Sequence, residues 1–167
     1  MSTWTVRRVT PADEQAWRAL YRAYREFYEV PDDESALDTV WAWALDPAHE
    51  VEAWVAADPD GRLGGLAHVR RFARPLAAST GLYLDDLVTH PDRRREGVGT
   101  AILEHLQRYA AAEGLTVVRW ITAADNARAR ALYDQHAEAT PWVTYDLAPA
   151  AAPAPGPAAA PAPTPGV

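Results

Sequence analysis

The chain contains 167 residues, 49% of them hydrophobic, which predicts one domain with a substantial core. A formal net charge of −7 argues against binding to nucleic acid and mildly favours cationic substrates. The absence of cysteine excludes disulfides, zinc–thiolate sites and an acyl group carried on an enzyme thioester. Because no apolar run has membrane length and no signal-peptide core lies near the N-terminus, we expect a soluble cytoplasmic protein without a membrane partner.

The first half of the sequence predicts a strand, two helices and a hairpin. Alternating residues indicate the strands, and Thr10 followed by Pro11 is typical of a helix start. The Asp-Pro-Asp-Gly sequence at 58–61 predicts the hairpin turn, and Gly64 and Gly65 predict a bulge or a close approach. The elements are a strand at 3–9, helices at about 11–28 and 34–45, and strands at 50–57 and 63–72.

The first predicted helix carries an aromatic stripe at spacings of three and four residues. Its members are Trp17, Leu20, Tyr21, Tyr24, Phe27 and Tyr28. Such a stripe is usually core, but tyrosine has a polar end, and part of the face could wall an acceptor pocket. Tyr24 and Tyr28, with the adjacent Glu29, are therefore candidate substrate-binding residues.

The central stretch at 83–112 orders a strand, a basic glycine-rich loop and a helix. The strand surrounds Asp85 and Asp86 with hydrophobic residues, and the loop has three arginines before Gly97 and Gly99. Glycines let a backbone approach a ligand, and the first N–H groups of a helix favour an anion, so the loop predicts a phosphate site. It lacks the lysine of a Walker A loop and the third glycine of a dinucleotide fingerprint. A surface turn with a basic patch is the other interpretation.

The last part of the sequence predicts a strand, a helix, another strand and a tail. Gly114 is the expected end of the central helix. From Ala148 the chain consists almost only of alanine, proline and glycine, which predicts disorder. We therefore expect a folded domain over 1–147 and a disordered tail over 148–167. The remaining elements are a strand at 115–122, a helix at 126–136 and a last strand at 142–147.

Two motifs in this order resemble the GCN5-related N-acetyltransferase (GNAT) family. The first is Arg-x-x-Gly-x-Gly, at Arg94, Gly97 and Gly99, between the central strand and its helix. The second is Asn-x-x-Ala-x-x-Leu-Tyr, at 126–133. The resemblance covers residues 3–147 and implies an α/β (α+β) fold, with a mixed, mostly antiparallel sheet of about six to seven strands flanked by four helices. It also implies N-acetyl transfer from acetyl-CoA without a metal.

In this family the basic loop holds the pyrophosphate of acetyl-CoA. The resemblance implies that backbone amides of the loop make this contact, that Arg94 adds charge, and that Arg93 or Arg95 is a candidate for the 3′-phosphate. Backbone groups at the strand end would bind the pantetheine arm like an added strand, and Asn126 would bind the same arm. Arg95 stands where the family commonly has glycine. The implied cofactor-binding residues are Leu87, Val88, Thr89, Arg94, Arg95, Glu96, Gly97, Val98, Gly99, Thr100 and Asn126.

Tyr133, Asp85 and Asp86 are the candidate catalytic side chains. In the family the tyrosine of the second motif is the general acid for the departing CoA thiolate, which assigns this role to Tyr133. Asp85 and Asp86 are the nearest acids for the acceptor amine, and we expect them to bind the cation or to relay its proton through water. Strand alternation places them on opposite faces, so only one is expected to point into the cleft.

A narrower resemblance is to a yeast acetyltransferase of histones and polyamines and to spermidine/spermine acetyltransferases, whose Tyr-Leu-Glu-Asp strand is similar to residues 83–86. It favours a small amine or amino acid as acceptor. A lysine or N-terminus of a protein is the second hypothesis, and a non-catalytic acetyl-CoA sensor is the third. His90, His105 and His136 show no metal-ligand spacing. The relatives in the narrower group self-associate, which leaves a homodimer open.

Overall fold

The alternating segments of the sequence form one five-stranded sheet in the computed structural model, which describes residues 3–150. The strands lie side by side in chain order, and all neighbours are antiparallel except the last two, which are parallel. The predicted fold class is confirmed, with five strands in place of about six to seven. The strands are β1 (Thr5–Arg8), β2 (Val51–Ala57), β3 (Leu63–Arg74), β4 (Ser79–Thr89) and β5 (Val118–Arg119).

Four helices complete the described part of the chain. They are α1 (Glu14–Phe27), α2 (Glu34–Leu45), α3 (Val98–Ala112) and α4 (Ala127–Tyr133). The predicted start of the first helix is confirmed, because Thr10 donates its backbone N–H to the Asp13 carboxylate at 2.8 Å ahead of a 3₁₀ turn that runs into α1. Asp13 also accepts from Arg7 at 2.7 Å, which ties β1 to α1. Glu29 ends the helix region with a φ of 56°.

The apolar faces of the helices cover both sides of the sheet. On one side α3 buries Ile102 and Leu106 against the strands, and on the other side α1 and α2 bury Trp17 and Trp41. None of the helices within residues 3–150 is long and apolar enough to span a membrane. The central strands β3 and β4 are therefore covered on both faces, and a polar side chain there requires a hydrogen-bond partner.

The glycine pair in β3 has the predicted roles. The register between β2 and β3 shifts so that Gly64 is the extra residue opposite Ala56 and Ala57, which is a bulge. A Cβ on Gly65 would collide with the carbonyl oxygen of Val88 in β4. The absence of a side chain at Gly65 therefore lets β3 and β4 approach each other closely at this point.

The pairing of β4 with β5 stops early and leaves part of β4 open. Only Leu82 with Val118 and Tyr83 with Arg119 are paired, so within the described residues the segment 85–89 has no strand neighbour on the β5 side. The N–H of His90 donates toward β3, to Gly64, at 2.8 Å. Because backbone groups alternate in direction along a strand, those of Leu87 and Thr89 point toward the open edge.

Two predicted strands differ from the structure. β5 is shorter than the predicted strand at 115–122, and the predicted last strand at 142–147 is wrong, because this segment pairs with no strand in the described chain. Trp142 is 81% exposed and Tyr145 is 88% exposed. Alternation indicates only a local extended preference, whereas a strand also needs a hydrogen-bonded neighbour. Most of the predicted tail at 148–167 lies outside the described residues.

Candidate active site

The predicted phosphate-binding stretch at 94–100 leads into the first turn of α3. Gly97 caps this helix with a φ of 80°, a conformation that glycine adopts without steric cost. The amides of Val98, Gly99 and Thr100 lie in the first turn, where a helix provides no acceptor, and no residue between 3 and 150 accepts from them. These N–H groups and the positive end of the helix dipole suit a phosphate.

The three loop arginines have different surroundings. Arg93 binds Asp58 at 3.0 Å and lies over the ring of Trp4, whose indole nitrogen donates to the carbonyl of Glu96 at 2.8 Å. Asp58 in the hairpin turn and Trp4 before β1 therefore hold the loop in place through these contacts. Arg94 and Arg95 are exposed, and neither pairs with a carboxylate in the described residues, so these two guanidinium groups are the ones available to a phosphate ligand.

The two sequence motifs touch each other in the fold. A Cβ on Gly99 would lie 2.7 Å from Cδ2 of Leu132, so the second glycine of the loop motif makes room for α4. Asn126 accepts from the N–H of Ala129 at 3.2 Å and so caps α4. Its side-chain nitrogen has no partner among residues 3–150 and remains available as a donor. The contact therefore positions Tyr133, the neighbour of Leu132, close to the start of α3.

Tyr133 occupies a half-buried position at the end of α4. Its ring packs edge-on against Trp120, with centroids 5.2 Å apart. Burial raises the pKa of the Tyr133 hydroxyl, and the nearby hydroxyl of Tyr28 raises it further. A phenol with a raised pKa keeps its proton at neutral pH, as a general acid must.

A β-bulge places both aspartates on the same side of the sheet. His68 pairs with Asp86 and Val69 pairs with Leu84, which leaves Asp85 as the extra residue. Asp85 binds Arg70 at 3.1 Å and Asp86 binds His68 at 2.8 Å, and His68 and Arg70 are two residues apart on the α1 side of β3. The prediction that the two carboxylates point to opposite faces is wrong, because it assumed a regular pleat.

His68 is a site residue that the sequence analysis missed. The residue is 2% exposed, and its Nε2 lies 3.0 Å from the indole Nε1 of Trp17. An indole N–H only donates, so Nε2 is the acceptor, and Nδ1 carries the proton and donates it to Asp86. The available signal was a lone histidine in an otherwise apolar strand, since a buried polar group needs a partner.

The tyrosines of α1 extend from the aspartates toward Tyr133. Burial and then the charge of Asp86 raise the pKa of Tyr21 to about 12, and the same two causes raise the pKa of Tyr24. The rings of Tyr24 and Tyr28 meet edge-on at 5.0 Å, and Tyr28 in turn lies close enough to Tyr133 to affect its pKa. Tyr24 and Tyr28 thus lie in a row of polar groups that begins at the carboxylate of Asp86 and ends at the hydroxyl of Tyr133.

Two other expectations concern groups outside this row. Glu29 is exposed just after α1, and its side chain makes no hydrogen bond or ion pair with the residues of the row in the described chain. Asp85 has a raised pKa because it is partly buried, and the charge of Arg70 opposes that shift. Between residues 3 and 150, no cluster of three histidine, aspartate or glutamate side chains is arranged to hold a metal ion.

Known proteins resemble this chain in sequence and in structure. The model of the acetyltransferase (GNAT) family matches residues 17–137. HPA3 of Saccharomyces cerevisiae (strain S288c), named a D-amino-acid N-acetyltransferase, is 30% identical over 143 residues, which cover 84% of this chain and 88% of that protein. YhfO of Bacillus subtilis (strain 168), named an uncharacterized N-acetyltransferase, is 26% identical over 144 residues, which cover 85% of this chain and 95% of that protein.

A solved structure described as a probable acetyltransferase has the same fold. It superposes with a TM-score of 0.78 at 21% identity and covers 87% of this chain and 98% of its own. The family model spans both sequence motifs and most of the described domain. The chain is therefore an acetyltransferase of the GNAT family, in which acetyl-CoA is the co-substrate.

Proposed function

We propose that this enzyme transfers the acetyl group of acetyl-CoA directly to the primary amine of a small molecule, with amino acids as the first class to test. The observation that supports this most is the row of polar groups from Asp86 through Tyr24 and Tyr28 to Tyr133, next to the open edge of β4. The name of the yeast relative favours D-amino acids. The motif resemblance keeps polyamines in the same panel.

The residues on the cofactor side fit a bound acetyl-CoA. Free amides at the start of α3, with the charges of Arg94 and Arg95, suit its pyrophosphate and 3′-phosphate. The open backbone groups of Leu87 and Thr89 suit the amides of its pantetheine arm, as an added strand would. When bound, acetyl-CoA supplies an acetyl group activated as a thioester.

The acceptor-side residues handle two protons. A primary ammonium, which titrates at about 10.4, must first lose a proton, and the carboxylate of Asp86 receives it directly or through water. The free nitrogen then forms a bond to the acetyl carbon while the carbon–sulfur bond breaks, and the nitrogen releases its second proton to solvent. Tyr133 gives its proton to the leaving sulfur and regains one from solvent. The products are the amide, CoA and one released proton.

CoA release measured with a thiol reagent tests this proposal. The chain contains no cysteine, so the reagent reports CoA alone. The panel contains D- and L-amino acids, spermidine and spermine, simple amines, and peptides with a lysine or a free N-terminus. We expect one group of small amines to release CoA and to yield a product heavier by one acetyl group.

The same panel decides between the competing functions. Release with peptides alone would replace the proposal with a protein acetyltransferase. Tight acetyl-CoA binding without release from any amine would favour the sensor. A matched Tyr133→Phe variant controls for acetyl transfer that does not depend on the proposed acid.

A further inference from the structure

The acceptor carboxylate Asp86 is supported by a buried pair, Trp17 and His68, that lies outside the loop motif at 94–99 and the motif at 126–133. We infer that His68 is a positioning residue. In its neutral Nδ1–H form it donates a hydrogen bond to one oxygen of Asp86 and leaves the other oxygen to the acceptor amine. Trp17 maintains this tautomer by donating its indole N–H to Nε2 of His68. The inference rests on the proposed function, since it assigns Asp86 to the acceptor. It adds two residues that do not touch the substrate themselves.

The geometry connects three elements that are far apart in the chain. In β3, Nδ1 of His68 lies 2.8 Å from Oδ2 of Asp86 in β4. Nε2 of the same ring lies 3.0 Å from the indole nitrogen of Trp17 in α1. Trp17 is fully buried, and its ring lies within about van der Waals contact of Tyr21 and Trp41, at centroid distances of 5.1 and 5.0 Å. The indole therefore has little freedom to turn away from His68.

This arrangement prevents His68 from acting as the base. A second proton would have to bind Nε2, which already accepts from the indole N–H, so two donors would face each other. The resulting positive charge would also lie in the apolar layer between α1 and the sheet. In the Ser-His-Asp triad a buried carboxylate orients an outward histidine. Here the order is reversed, and a buried neutral imidazole orients the outward carboxylate.

The groups that face Asp86 come from α1, β3 and β4. Besides His68 they are Tyr21, Tyr24 and Asp85, while Arg25 lies near Tyr21 and Arg70 lies next to Asp85. Arg70 and Asp85 pair with each other, and the two tyrosines keep their protons because their pKa values are raised. Imidazole is the group among them whose ordinary titration lies between pH 5 and 8, so a change in its charge would be visible in that range.

Substitutions at His68 test the hydrogen bond to Asp86. His68→Leu fills a similar volume without a donor, and we expect kcat/KM for the best acceptor of the panel to fall about 10-fold to 100-fold. His68→Asn places an amide N–H close to the position of Nδ1, and we expect it to recover most of that loss. A purely structural role would leave the two variants equally impaired, and this result would contradict the inference.

Trp17→Phe tests the tautomer lock, because it keeps an aromatic ring and removes only the indole N–H. We expect the pH profile of kcat/KM to acquire one additional ionisation between about pH 5.5 and 7.5, where imidazoles titrate. Activity should be lost on the acid side of this ionisation, because a positively charged His68 repels the acceptor ammonium. The double variant Trp17→Phe/His68→Asn should lack this ionisation. A single variant whose profile matches that of the native enzyme would overturn the role of Trp17.

Nitrogen NMR of the native enzyme decides the same point without activity, and it also decides the question if His68→Leu or Trp17→Phe does not fold. The imidazole signals missing from the His68→Asn spectrum identify His68. We expect Nδ1 to carry the proton and Nε2 to carry none from pH 5 to 9. A proton on Nε2 in this range would overturn the inference. If the enzyme acetylated no amine but showed this tautomer, the proposed function would be wrong and the inferred hydrogen-bond arrangement of His68 would stand.

Discussion

The two sides of the cleft are built in different ways. On the cofactor side, the candidate groups are mostly backbone amides and carbonyls within one stretch of about 15 residues, from the end of β4 to the first turn of α3. On the acceptor side they are side chains of Trp17, His68, Asp86 and Tyr133, which four different elements bring together. Local spacing is enough to build the first side, whereas the second exists only after the sheet has formed.

This difference affects how each side should respond to mutation. A backbone amide survives most side-chain changes, so the cofactor side should be sensitive mainly where conformation depends on a particular residue. A side-chain hydroxyl or carboxylate is removed by a single substitution. We therefore expect the largest losses on the acceptor side.

Tyr133→Phe should produce the largest effect on turnover. Without the hydroxyl, the leaving sulfur receives no proton from the enzyme, and we expect kcat to fall by about 10²-fold to 10³-fold. The Kd for acetyl-CoA should not change, because the ring still packs against Trp120. Tyr145→Phe is the matched control, since Tyr145 is 88% exposed. Steady-state kinetics and acetyl-CoA titration measure both quantities, and an unchanged kcat would remove Tyr133 from the mechanism.

Asp86→Asn should have the next largest effect and should exceed Asp85→Asn. Asp86 is held by His68 and lies beside Tyr21 and Tyr24, and we expect its amide variant to lower kcat/KM for the acceptor about 100-fold. Asp85 pairs with Arg70 at a half-exposed position, so its amide variant should cost less than about 10-fold. Kinetics at saturating acetyl-CoA separate the two, and a larger loss at Asp85 would reverse the assignment.

Much of the fold could be predicted because its elements carry local signals. The capped start of the first helix, the bounds of α2, the hairpin and the glycine pair of β3 all followed from residues close in sequence. The short β5 and the unpaired segment at 142–147 could not be predicted, because pairing at a sheet edge depends on what lies beside the strand. The bulge at Asp85 has no glycine or proline to indicate it.

The same limit applies to the candidate site. The phosphate loop was predicted from its arginines and glycines between a strand and a helix, and Asp85 and Asp86 from their place in the strand. Trp17 and His68 are 51 residues apart, and each by itself is typical of a buried core residue. Only the three-dimensional contact shows that they form a hydrogen-bonded pair behind Asp86.

Gly97→Ala should show where the cofactor side is sensitive. Gly97 has a φ of 80° with nothing near its missing Cβ, so alanine adds backbone strain of about 1–2 kcal/mol without a steric clash. We expect the KM for acetyl-CoA to rise roughly 10-fold, because the amides of the first turn shift. Gly61→Ala is the control, since its φ of 82° and open surroundings are equivalent but it lies in the hairpin turn. Equal KM values in the two variants would separate Gly97 from cofactor binding.

Arg95→Gly should have the smallest effect, and it separates conformation from charge on the cofactor side. Arg95 adopts a φ of 66°, a left-handed conformation that glycine takes without strain. We expect the free energy of unfolding to rise by up to about 1 kcal/mol, because the relief of strain exceeds the added freedom of the unfolded chain. Arg95→Ala removes the same charge but keeps the strain, so it should not be stabilised. If Arg95 contacts a phosphate, both variants should raise the KM for acetyl-CoA by a similar factor and reduce its dependence on salt. If only Arg95→Ala raised the KM for acetyl-CoA, position 95 would affect binding through the backbone conformation of the loop and not through charge. The cofactor side would then depend on its main chain at position 95, as we expect at Gly97.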